Sequence, residues 1–286
     1  MSFAETVLLG ALAGFTIYLG LPFARLQLLG DRARVGLAMF AVGVLAFLFV
    51  DVLEHGFAIL EHAVERFKDG REGLGSPLGL AALLGGGFAL GTAGLAVIER
   101  RMRSSLPPPP PAAGGSLGAF QVAESVPLAD PAEAARTRAL WRSMTIAAAI
   151  GLHNFAEGLA IGVSASTGEI SLATVLIVGF ALHNATEGFG IVGPLGNVRP
   201  SWRWLAAAGL VGGGPTFLGS IVGWSVTSEP LELAFYAVSG GAILYVIGEV
   251  WNAMRRYGHR ELGLWLLSLG FMVGVVTDLV VVYGGA

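Results

Sequence analysis

The sequence contains no cysteine, which excludes disulfides, thiolate metal sites and a cysteine nucleophile. Charge is scarce as well. Only 13% of the 286 residues are Asp, Glu, Lys or Arg, against roughly a quarter in an average globular chain. A soluble fold of this length could bury a large core, but its surface would be left short of charge. A net charge of −3 and a pI near 6.0 provide no basic surface for nucleic acid. The chain has no HExxH, no glycine-rich nucleotide loop and no serine-centred motif, so nothing in it signals an enzyme.

What the sequence does have is apolar length: 54% hydrophobic residues and a mean hydropathy of +0.71. The charges cluster, leaving runs of about 20 apolar residues, the length that crosses a bilayer core. These runs cover 4–23, 35–58, 78–99, 143–164, 171–195, 203–226, 231–253 and 262–283. The predicted class is an all-α membrane protein with eight transmembrane helices. The first run carries Glu5, no basic flank and no cleavage pattern, so it is expected to be a permanent helix rather than a signal peptide.

Lys and Arg placement predicts orientation. The loops after runs one, three, five and seven hold 14 of the 17 basic residues. The positive-inside rule then puts those loops in the cytoplasm and both termini outside. Residues 101–142 form the long cytoplasmic loop between helices three and four. It contains five consecutive prolines, Pro107 to Pro111, which favour extended polyproline II, and it has no histidine that could sense a metal. The expected organisation is 1–100 with helices one to three, 101–142 as the Pro-rich loop, and 143–286 with helices four to eight.

Inside the fourth run the chain reads "GLHNFAEGLAIG" (151–162), and inside the fifth "ALHNATEGFGIVG" (181–193). In each copy His and Glu are four apart, hence one turn apart on one helix face. Antiparallel helices with these faces opposed would join His153 and Glu157 to His183 and Glu187 near the bilayer midplane, with Asn154 and Asn184 beside them. A central acidic residue costs about 2.5–3.5 kcal/mol to insert, so a mere structural role is an uneconomical explanation. A divalent cation offsets two carboxylates and takes neutral imidazoles as ligands, and nitrogen–oxygen sites suit zinc, iron(II) or manganese. A polar lock between the helices and a proton relay are the alternatives.

Other intramembrane polar residues suggest a path to such a site. Asp51, Glu54 and His55 fall in the outer part of helix two and Asp278 in the outer part of helix eight, a mouth for cations. Glu249, with Asn252, lies toward the cytoplasmic end of helix seven and offers an exit. Glu61, His62 and Glu65 read as ordinary interfacial residues. GxxxG spacings at Gly10, Gly87, Gly158, Gly209, Gly219 and Gly270 predict close helix packing.

Consecutive spans bearing "HNFAEG" and "HNATEG", after a long cytoplasmic loop, resemble the ZIP family of divalent-metal transporters. "GGAILYVIGE" in run seven is similar to the start of that family's seventh helix. The resemblance implies a transporter moving zinc, or else iron, manganese or cadmium, into the cytoplasm. Its main site would be His153, Glu157, His183 and Glu187, and Asn154 and Asn184 would contribute to an adjacent metal position. It also implies homodimers and a movement of helices one, four, five and six against the rest. The metal is substrate, no organic cofactor is expected, and the bacterial inner (plasma) membrane is the expected location. This chain departs from the family pattern in several places. Ala156 and Thr186 replace the common proline before the motif glutamate, and Thr216 stands where many bacterial members carry a glutamate. The "DVLEHGF" of run two and the missing proline before Glu249 depart as well. One ion rather than two is therefore expected. A membrane-embedded metal hydrolase and a proton-conducting or structural bundle are the alternative functions.

Overall fold

The computed structural model describes residues 1–25, 30–104, 131–166, 170–225 and 228–283. Among these residues there are helices and turns and no strand. Helix α1 (Phe3–Phe15) starts on a capping box, in which Ser2 and Glu5 satisfy each other's backbone N–H groups, and continues as 3-10 turns to Ala24. Then come α2 (Asp31–Lys68), α3 (Gly75–Ala89), a π-helical turn (Leu90–Gly94) and α4 (Leu95–Ser104). The second half holds α5 (Pro131–Ser166), α6 (Ile170–Val192), α7 (Trp202–Ser225), α8 (Glu229–Met254) and α9 (Arg260–Tyr283).

Among the described residues, seven helices are long and apolar enough to cross a membrane: Phe3–Ala24, Asp31–Lys68, Gly75–Arg101, Ala132–Ser166, Trp202–Ser225, Glu229–Tyr257 and Arg260–Val280. These account for every expected run except 171–195, which coincides with α6, a helix of 23 residues.

The helix ends differ from expectation in an instructive way. Residues 131–142, expected in the loop, are the first turns of α5. Proline loses nothing at a first helical position, and Ala132, Glu133, Ala134, Ala135 and Arg136 are good helix formers. Helix α4 likewise continues to Ser104, and Pro107–Pro111 lie outside the described residues. Helix α2 runs on from 58 to Lys68 through Glu61, Glu65 and Arg66. Hydropathy marks where a helix is greasy, not where it stops.

The helices pack as two groups. α1, α5, α6 and α7 form one, and α2, α3, α8 and α9 form the other; α5 meets α8, and α2 meets α6, where the groups join. Glycine sets the spacing within each group. A Cβ on Gly158 of α5 would lie 2.9 Å from the Ser220 nitrogen of α7 and collide with the Thr216 carbonyl. A Cβ on Gly43 of α2 would lie 2.8 Å from the Phe271 nitrogen of α9. The Gly10, Gly87, Gly158, Gly209, Gly219 and Gly270 pairs are all spent on contacts inside the chain.

Gly158→Leu should therefore destabilise the protein by about 1–3 kcal/mol or more, as overpacking against rigid backbone does. Gly79→Leu, with nothing within 4 Å of its Cβ position, should be neutral. Thermal unfolding of both variants in detergent checks this; equal melting temperatures would mean that the α5–α7 spacing does not depend on Gly158.

Candidate metal centre

Helix α5 supplies His153, Asn154 and Glu157, and α6 supplies His183, Asn184 and Glu187; all six side chains are buried. Glu157 is the hub. Its Oε1 lies 3.0 Å from His153 Nε2 on its own helix and is hydrogen-bonded to His183 Nε2 from α6. His153 Nε2 is 4.0 Å from Glu187 Oε1. Ligand atoms of His153, Glu157 and His183 all fall within 4.8 Å of one another, close enough for one ion.

The asparagines hold this arrangement from behind. Asn154 Nδ2 donates to Glu187 Oε2 at 3.1 Å and to the Gly212 carbonyl of α7 at 2.9 Å. Asn184 Nδ2 donates to the Ala13 carbonyl of α1 at 3.3 Å. What these contacts leave over is informative. His153 Nε2, Asn154 Oδ1, Glu157 Oε2, Asn184 Oδ1, Glu187 Oε1 and Thr216 Oγ1 are buried without a hydrogen-bond partner among the described residues. His153 Nε2 approaches Glu157 but is not aligned as a hydrogen bond. Buried polar groups are ordinarily paired, and an unpaired one costs about 1–3 kcal/mol. Of these unpaired atoms, His153 Nε2 lies 3.0 Å from Glu157 and 4.0 Å from Glu187 Oε1, a nitrogen–oxygen donor set suited to a divalent ion.

The residues expected to form a path are less closely assembled. Asp51 is half-buried and within electrostatic reach of Asp278, His153 and His183. His55 Nδ1 donates to the Asp51 carbonyl at 2.9 Å, and its ring lies 5.6 Å from that of Tyr236. Glu54 is exposed. Glu249 lies 3.5 Å from Arg142 of α5. His62 is exposed and faces Glu65 at 3.3 Å, an ordinary helix-surface pair. The structure adds a residue that the sequence did not single out. Ser239 of α8 is buried, and its Oγ is 2.9 Å from His153 Nδ1. A serine beside two glycines in an apolar run carries no signal of its own.

This donor set is buried in a bundle of apolar helices. Residues 121–248 match the family model of the ZIP zinc transporters. No curated protein matches the chain. The match and the apolar helices indicate an integral membrane protein, and the matched family is one of divalent-metal transporters. The matched segment contains both HNxxEG motifs, Thr216 and Ser239. Asp51, Glu54, His55, Glu249 and Asp278 lie outside it.

Asn154→Leu should lower stability by about 1–3 kcal/mol, because it strips a donor from a buried carbonyl and a buried carboxylate. Asn252→Leu, at an exposed position, should be close to neutral. Melting temperatures of the purified variants test this, and an Asn154→Leu protein as stable as wild type would mean that the clamp holds nothing.

Proposed function

We propose that this protein carries a divalent metal ion, zinc foremost, across the membrane into the cytoplasm, bound by His153, Glu157, His183 and Glu187. The observation that carries the reading is the cluster itself: three ligand atoms within 4.8 Å, a second carboxylate 4.0 Å from His153, and unpartnered buried atoms all round. Two ionised carboxylates at mid-membrane would cost about 5–7 kcal/mol. A bound dication offsets that charge, and neutral imidazoles complete its shell. Iron(II), manganese and cadmium suit the same donors.

In this reading α6 is the eighth span, the termini lie outside, and the protein resides in a bacterial inner membrane. Asp51 and Asp278 form a mouth that concentrates cations, with Glu54 and His55 at its rim. Glu249 lies at the cytoplasmic end, and Arg142 must release it before it can take an ion. The α1–α5–α6–α7 group carries the site past the other group. The expected homodimer would use surfaces other than the six glycine pairs, which are occupied within the chain.

His153→Ala and Glu187→Ala should each nearly abolish zinc uptake into proteoliposomes while the protein still folds and inserts. Undiminished uptake in both would remove the cluster from the mechanism, and lipid or peptide turnover without uptake would turn the reading into hydrolysis.

We also propose that the site holds a single ion. Asn154, Asn184 and Thr216 are neutral, so a neighbouring position lacks the charge to retain a second dication. Thr216→Glu should raise bound zinc from one toward two ions per chain, with equal or slower transport. Elemental analysis of the purified proteins decides this; two ions per chain in the wild type would overturn it.

A further inference from the structure

We infer that Ser239 is a positioning residue for the metal site, orienting His153 from the opposing helix group. The inference rests on the transport reading above and deepens it. His153 belongs to α5 and Ser239 to α8, so the 2.9 Å contact between Nδ1 and Oγ crosses the junction of the two groups. Both side chains are buried, at 1% and 0% exposure, so water does not compete for the contact.

An imidazole can bind a metal through Nε2 only if that nitrogen holds a lone pair, which places the ring proton on Nδ1. Nδ1–H then needs an acceptor. Ser239 Oγ is the partner present, and Nε2 is the atom left unpartnered, facing Glu157 at 3.0 Å and Glu187 at 4.0 Å. The hydroxyl thus fixes both the ring's orientation and the tautomer that exposes the ligand nitrogen, as partners behind metal-bound histidines do.

Ser239 is itself anchored. Two residues on, Gly241 packs backbone to backbone against Gly91, with its Cβ position 2.9 Å from the Gly91 Cα. The orienting hydroxyl therefore stays with the α2–α3–α8–α9 group, while His153 travels with the other. The ligand set is fully oriented only in the register seen here. Displacement of the groups breaks the bond and weakens the hold on the ion.

The test is zinc titration by calorimetry on the purified full-length protein, paired with uptake kinetics in proteoliposomes. Ser239→Ala should weaken zinc affinity about 10-fold or more and raise KM, with the maximal rate kept or increased; the metal-free protein should keep its melting temperature, because the freed ring can turn, move its proton to Nε2 and donate to Glu157, 3.0 Å away. Ser239→Thr keeps the hydroxyl and should restore affinity; if its extra methyl lowers the metal-free melting temperature, Ser239→Ala decides alone. Wild-type affinity and KM in Ser239→Ala would overturn the inference. So would an affinity loss matched by an equal loss of metal-free stability. If wild type binds zinc no better than the His153→Ala/Glu187→Ala double variant, the transport reading itself fails, a result distinct from either of these.

Discussion

Keeping two carboxylates inside an apolar helix bundle is the constraint on which the rest of this structure depends. Glu157 and Glu187 are buried at 5% and 0% exposure, and among the described residues neither pairs with a lysine or arginine. Their compensation comes instead from two imidazoles and one amide. Such groups offset only part of a full negative charge, since charges in a low-dielectric interior interact strongly over several ångströms. The leftover oxygen and nitrogen atoms are the structural trace of that incomplete balance. The two motifs and Thr216 leave six buried atoms without a partner among the described residues.

Bringing those groups together demands close helices, and the same short motif supplies both halves of the requirement. In "HNFAEG" and "HNATEG" the glycine directly follows the motif glutamate. Gly158 lets α5 touch the backbone of α7, and Gly188 lets α6 touch Gly20 and the Ile17 carbonyl in the extension of α1. Asn154 then reaches the Gly212 carbonyl and Asn184 the Ala13 carbonyl because those backbones are near. The His and Glu side chains occupy one face of each helix and bare backbone contact the next. Larger side chains on the contact face would move the carboxylates out of range of the imidazoles.

Much of this was legible in the chain, because its signals are local. Apolar runs located the helices, and a repeated four-residue spacing located the buried His and Glu side chains that the structure brings together. Helix ends were misjudged where charged helix formers outrun the greasy segment, at 131–142 and beyond residue 58. What sequence could not show are the contacts that depend on packing. His153 and Ser239 are 86 positions apart, and Asn154 and Gly212 are 58 apart. Nothing in either neighbourhood hints at the pairing. The path residues illustrate the same limit: Asp51 and Glu54 look equivalent as letters, yet one is half-buried toward the site and the other is exposed.

Charge balance also bears on Thr216. With neutral imidazoles, two carboxylates and one dication sum to zero, and a neutral assembly is the least costly object to move past an apolar wall. Unpaired charge in hydrocarbon costs several kcal/mol even after relaxation. A third carboxylate at 216 would leave the single-ion complex negative and would need further cationic charge to restore neutrality. Thr216 keeps a buried oxygen at that position without the charge. In the transport reading, a neutral residue at 216 therefore lets the single-ion complex move without uncompensated charge.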